Sequence, residues 1–148
     1  MRTASTVPAV LTDLVARFAA ALPDVRVVDG HPITPATDMV AVGFTGESGE
    51  PAIESSRSRE QASLDPDREA YTVTCWAYCL RGDTDPAAVR ETVYGWLDTV
   101  AAELAADPTL GGLVGRTQLA TETLTQDQTD KGAQAALRFT VSVDAWTR

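Results

Sequence analysis

The chain has 148 residues, 44% hydrophobic and 22% charged, with a net charge of -9. That length fits one domain with a real core, and the composition excludes disordered, collagen-like and coiled-coil classes. Of the 12 basic residues only Lys131 is a lysine, so the chain is a poor candidate for wrapping nucleic acid, which needs a basic face.

No apolar run approaches the ~20 residues of a membrane span. Asp13 and Arg17 interrupt the first apolar stretch, so no signal peptide is expected and the protein reads as cytoplasmic when made.

A first helix is expected from about Val7 to Leu22. Val7, Val10, Leu11, Leu14, Val15, Phe18 and Leu22 recur at helical spacing, with Thr6 as N-cap and Pro8 in the first turn. Two short strands follow, Val25–Val28 before Asp29-Gly30, and Asp38–Phe44 with Val40, Val42 and Phe44 on alternate positions.

Residues 46–68 form a polar arm rich in Ser, Glu and Arg. A long structureless loop is one reading. The other is a polar strand over Ile53–Ser63, returning through Asp65-Pro66-Asp67-Arg68 to pair with the next strand.

Tyr71–Cys79 reads as the central strand. Tyr71, Val73, Cys75, Ala77 and Cys79 point one way, and Thr72, Thr74, Trp76 and Tyr78 the other. Four residues of strand separate Cys75 from Cys79 by about 13 Å, too far for a disulfide, so both read as buried free thiols. A second helix is expected from about Pro86 to Ala106, capped by Asp85, with Val89, Val93, Trp96, Leu97, Val100 and Leu104 as its apolar stripe. The turn 107–113 ends it.

Gly115–Thr125 and Gln134–Trp146 complete the chain as strands joined at Asp130-Lys131-Gly132. In the last, Ala135, Leu137, Phe139, Val141 and Val143 face in, and Arg138, Thr140, Ser142 and Asp144 face out. The expected fold class is α+β. A mainly antiparallel sheet carries both amphipathic helices on one face, in a single domain over 1–148.

Catalytic signals are weak. His31 is the one histidine and sits in a Gly-His-Pro turn, so no base accompanies a nucleophile. Two cysteines and one distant histidine do not make a zinc site. Residues 111–115 lack the Lys-Ser/Thr of a phosphate loop. Asp83 and Asp85 read as helix-cap acids, and Asp127 and Asp130 fail the calcium-loop spacing. No catalytic residue, cofactor or metal is expected.

The outward aromatics carry more weight. Trp76, Tyr78 and Trp146 fall on the outward parity of their strands, where they either mark protein contacts or lie under the 46–68 arm. Arg57 and Arg59, two apart in that arm, are candidates to reach a neighbour's acids or form a solvated face. These five residues are the interface candidates.

Several segments together resemble the tail-terminator (tail-completion) proteins of long-tailed phages. They are Tyr71-Thr72-Val73-Thr74-Cys75-Trp76-Ala77-Tyr78, then Arg81–Asp85 before a long helix, then Asp107-Pro108-Thr109-Leu110-Gly111-Gly112, and finally Leu137–Ala145. The similarity runs from about Val7 to Trp146, and neck and minor-tail proteins share much of the pattern. The resemblance implies a virion subunit at the head–tail junction. It would form a ring, typically a hexamer, on the tail tube, stop tube polymerisation and offer the head-joining surface. Implied partners are other copies, the tube protein and a head-completion or connector protein. DNA would pass through the lumen without specific binding, and no membrane is involved. Other readings are another neck component, a monomeric protein-binding module, or an enzyme with a carboxylate-only site.

Overall fold

The computed structural model describes residues 4–34, 36–56, 67–82 and 85–147. The elements are α1 (Val7–Ala21), β1 (Arg26–Asp29), β2 (Asp38–Val42), β3 (Ile53–Glu54), β4 (Asp67–Arg81), α2 (Pro86–Ala106), β5 (Arg116–Thr129) and β6 (Gly132–Thr147). They build an α+β fold with a sheet of order β1-β2-β4-β6-β5, and β3 also pairs with β4.

The frame is the antiparallel pair β4–β6, aligned without a break from Asp67↔Thr147 to Arg81↔Ala133. Strict alternation along both strands sends Tyr71, Val73, Cys75, Ala77 and Cys79, with Ala135, Leu137, Phe139, Val141 and Val143, to one face. There they meet Val10, Leu14 and Phe18 of α1 and Val89, Val93, Leu97, Val100 and Leu104 of α2. Burying each large apolar side chain contributes roughly 1.5–3 kcal/mol before conformational entropy is counted. Both helices therefore cover this inner face, as expected, and among the described residues the opposite face carries no helix.

The sheet is not wholly antiparallel. β1 and β2 pair in parallel, Arg26↔Met39 to Asp29↔Val42. Residues 30–37 carry the chain back to the same end of the sheet instead of closing a hairpin. Both β4 and β5 exceed the expected spans, since Asp67 and Arg68 are already in β4 and β5 runs on to Thr129. β5 contains a bulge between Leu119↔Val141 and Thr121↔Thr140. The extra residue explains how Leu119 and Leu124, five apart, both pack on the core.

β3 is the described part of the expected polar strand. It pairs Ile53↔Val73 and Glu54↔Thr72, on the edge of β4 that β2 occupies at Val42↔Cys75. β2 and β3 thus share one strand position, interrupted by residues 43–52. The strand ends sooner than expected, since Ser55 and Ser56 are not in it; residues 57–63, and most of the proposed hairpin, lie outside the described residues.

Asp85 caps α2 as expected, accepting from the Ala87 and Ala88 amides. Thr6 does not cap α1 with its side chain. Its hydroxyl and amide instead donate to Glu69 Oε1 at 2.6 and 2.8 Å, and Ser5 donates to Oε2 at 2.6 Å. Glu69 is a buried carboxylate at the positive end of α1, and a strand residue has replaced the local cap. The far end of α1 is tied to the end of α2. Arg17 bonds Asp13 at 2.5 Å and Asp107 at 2.9 Å. The Gly111 amide and then Arg17 hold the Asp107 carboxyl below its ordinary value.

The Glu69 anchor predicts a stability loss on Glu69→Ala of about 1–3 kcal/mol, because it strands buried donors. Urea unfolding checks this, and Glu69→Gln, which keeps an acceptor, should lose less.

Burial pushes the Cys75 thiol and the Tyr71 phenol up to about 12, and Cys79 to about 11, from ordinary values of 9.0, 10.0 and 9.0. Raised values mean the folded chain holds these protons more tightly. Their contribution is complete below about pH 9 and is lost as pH rises through about 11–12. The melting temperature should therefore fall across that alkaline window, less steeply in Tyr71→Phe. A thiol reagent at about pH 8 should label neither cysteine until denaturant is added, since only the thiolate reacts.

Candidate interface on the helix-free face of the sheet

The outer face carries the other half of each alternation: Arg68, Thr72, Thr74, Trp76 and Tyr78 on β4, and Arg138, Thr140, Ser142, Asp144 and Trp146 on β6. Thr121, Thr123 and Thr125 extend it onto β5. The middle is a threonine and serine surface, in which Thr121 and Thr140 share a 2.7 Å hydroxyl contact. The two ends differ.

At one end Trp76 and Tyr78 stack with ring centres 4.9 Å apart and planes 12° from parallel. Phe44 meets Trp76 edge-on at 5.5 Å, and His31 lies 4.7 Å from Phe44. Aromatic contacts of this kind add roughly 0.5–1.5 kcal/mol each beyond area burial. Tyr78 Oη donates to Gln134 Oε1 at 2.8 Å, and burial raises its pKa. Trp76 and Tyr78 are half-buried. The start of the 46–68 arm lies on Trp76, as the reading of a covering arm expects, and Tyr78 stays partly exposed.

Residues 43–52 make that cover. Gly43, at φ +80°, ends β2, and the amides of Gly43 and Phe44 both donate to Thr74 O. This bulge moves Phe44 off the inward parity of Val40 and Val42 and places it beside Trp76. Gly46 then crosses the indole so closely that a Cβ there would lie 2.5 Å from Trp76 Nε1. Arg138 fixes the crossing. Its Nε donates to Thr45 O at 2.8 Å, and its two terminal nitrogens grip Glu50 at 3.0 and 3.3 Å, a bidentate charge-assisted pair.

Two hollows flank the stacked pair. One, of about 270 Å³, is mainly apolar and bounded by His31, Pro32, Ile33, Phe44, Trp76 and Tyr78. The other, of about 320 Å³, is polar and includes Glu47, Thr123, Gln134 and Arg138. Ile33 on the rim of the first is 96% exposed.

At the opposite end Trp146 is 60% exposed although it sits in a strand. Its ring rests against the Gly115 backbone, where an added Cβ would lie 3.7 Å from Cδ1. Beside it Arg68 bonds both oxygens of Asp144 at 2.9 and 3.2 Å, which raises the arginine pKa. Arg116, opposite Asp144, makes no ion pair among the described residues. These side chains line a charged hollow of about 600 Å³.

The structure therefore brings Trp76 and Tyr78 together and sets Trp146 apart at the far end. Arg57 and Arg59 lie outside the described residues. His31, which the sequence offered only as a turn residue, and Phe44, Ile33 and Glu50 join the site without having been interface candidates. Only Gly43, a glycine inside an apparent strand, signalled the bulge that brings Phe44 there. Among the described residues no group of three His, Cys, Asp or Glu could hold a metal ion.

No protein-family model matches the chain, and no curated protein matches its sequence. Among solved structures, a chain of the virion of a native gene transfer agent particle shares the fold. It has a TM-score of 0.51 and 10% sequence identity, over 97% of this chain and 99% of that one. At that identity the likeness is one of fold.

The crossing at Gly46 predicts a differential effect of two substitutions. Gly46 and Gly49 both have positive φ, +96° and +81°, but a Cβ on Gly49 meets nothing within 4 Å. Each alanine variant should lose roughly 1–2 kcal/mol for the left-handed backbone. Only Gly46→Ala should also displace the indole, read as a changed near-ultraviolet circular dichroism band.

Proposed function

We propose that this chain is a structural subunit of a phage or phage-like particle. Its finer role is that of a ring-forming tail terminator, which caps the tail tube, stops its polymerisation and presents the surface that joins the filled head. The observation that carries the reading is the shared fold with a virion chain over nearly the full length of both proteins. It agrees with the resemblance found independently in the segments 71–78, 107–112 and 137–145.

Three features support an assembly role over a catalytic one. Among the described residues the outer sheet face has no helix over it, yet it holds an aromatic cluster at one end and an exposed tryptophan at the other. Such aromatics on an otherwise polar surface are characteristic of the cores of protein contacts. Among the described residues the resolved pKa shifts come from burial or ion pairs, at Tyr71, Cys75, Tyr78, Cys79, Arg17, Arg68 and Asp107, and of these only Tyr78 borders the aromatic hollows. The one carboxylate among them, Asp107, is held by the Gly111 amide and Arg17 and not by a second acid of the kind paired general acid–base work requires.

The charge of -9 suits a lumen through which DNA slides, since an acidic wall does not neutralise phosphates. Partners on this reading are further copies of the chain, the tube protein and a head-completion or connector protein. The place is the head–tail junction of the virion. No cofactor takes part.

Light scattering after size exclusion, with negative-stain images of the same peak, tests the proposal. A closed ring, six-fold in the tail-terminator reading, with a hole wide enough for duplex DNA is expected, alone or once tail tube protein of the same particle is added. A strict monomer under both conditions would sink it in favour of a monomeric binding module.

A further inference from the structure

The two ends of the outer face are complementary to each other, and within one chain they cannot meet. Trp146 pairs with Arg68, and Trp76 pairs with Arg138. Eight strand residues separate the two positions, about 27 Å along β4 and β6. One end presents a knob, an indole 60% exposed, held on a rigid strand by Gly115. The other presents the apolar hollow of about 270 Å³ among His31, Phe44, Trp76 and Tyr78, with Ile33 fully exposed on its rim. That volume is below the roughly 300–1,000 Å³ of small-molecule sites and suits a single large side chain.

Charge follows the same division. Arg116, beside the knob, has no ion-pair partner among the described residues, and neither has Glu47, which follows Gly46 of that hollow and lines the neighbouring polar one. Ile33 and Trp146 are also the two most exposed large hydrophobic residues among those described. Isolated exposed apolar groups need no explanation, but a knob and a fitting hollow on one molecule do.

We propose that Trp146 of one copy seats in the His31–Phe44–Trp76–Tyr78 hollow of the next, with Arg116 of the first facing Glu47 of the second. The occupant is thus a second copy of this chain. The contact is heterologous, because knob and hollow are different surfaces, and such contacts propagate until a rotation closes them into a ring. Two copies packed outer face to outer face would bury the Thr72, Thr74, Thr140 and Ser142 surface between them. Burying polar groups without partners is costly, so that arrangement is disfavoured. The inference rests on the ring-forming reading and names its contact.

The test uses the full chain. The variants I33C and A70C, the second on the exposed outer face beside Arg68 and Asp144 with Trp146 intact, are made separately, mixed, and treated with a short bis-maleimide. Native Cys75 and Cys79 are buried and do not compete. A cross-linked pair is expected from the mixture and not from either variant alone, and a chain carrying both changes should give a ladder ending at the ring. Trp146→Ala should lower self-association at least tenfold while its circular dichroism and melting temperature stay unchanged. Wild-type rings that persist in Trp146→Ala, with no cross-link, would overturn the contact and leave the ring reading standing. A cross-link that stops at a closed pair would uphold the contact and overturn the ring. Absence of any association, alone or with tube protein, would sink both.

Discussion

Everything in this fold depends on the unbroken ladder between β4 and β6. Two long strands in strict register, Asp67↔Thr147 through Arg81↔Ala133, make two faces that share no side chain. The apolar half of each alternation needs cover, and the stripes of α1 and α2 need a surface. One packing satisfies both. Because both helices are used on that side, the other face must manage without a layer. It does so with threonines and serines in the middle and aromatics at the ends.

The chain modifies that open face at one place. β2 and β3 occupy the same edge of β4, and residues 43–52 leave the sheet between them. The departure is made at Gly43 and the crossing at Gly46, both at positive φ, where a side chain would be strained. What offsets this conformational cost is local. The Gly46 backbone lies on the Trp76 ring, and Arg138 holds Thr45 and Glu50 from the far side. The excursion covers half of Trp76, brings in Phe44 and leaves a hollow beside Tyr78. The same sequence feature therefore both protects the aromatic cluster and shapes its accessible edge.

The α+β class, the two helices and the faces of β4 and β6 were legible because long periodic segments report their own environment. Tyr71–Cys79 and Ala135–Val143 alternate cleanly, and Asp85-Pro86 marks a helix start that the structure reproduces. Features set by partners distant in sequence were not legible. Thr6 looks like a local cap, but Glu69, 63 residues away, takes both its amide and its hydroxyl. Val25–Val28 and Asp38–Phe44 look like hairpin partners, but nothing local reveals that residues 30–37 bring them round in parallel. Phe44 keeps the parity of Val42 on paper, and a single positive-φ glycine reverses it. At the interface, Trp76 and Trp146 share an outward parity in sequence. Only the register shows that one is partly roofed and the other stands alone.

Charge adds a constraint that the apolar contacts must overcome. In the proposed ring, copies carrying -9 each would repel, and at about 0.1 M salt that repulsion is screened only beyond ~10 Å. Association must therefore rest on close contacts that bury apolar area, reinforced where a free cation meets a free anion. An exposed indole on a rigid strand meets this need, because little conformational entropy is lost when it docks. The distribution of residues is consistent with that demand. Arg116 follows Gly115, which packs beside Trp146, and Glu47 lines the polar hollow next to Tyr78. An acidic chain can close on itself and still leave phosphate unbound only if its adhesive chemistry is confined to such small, paired patches.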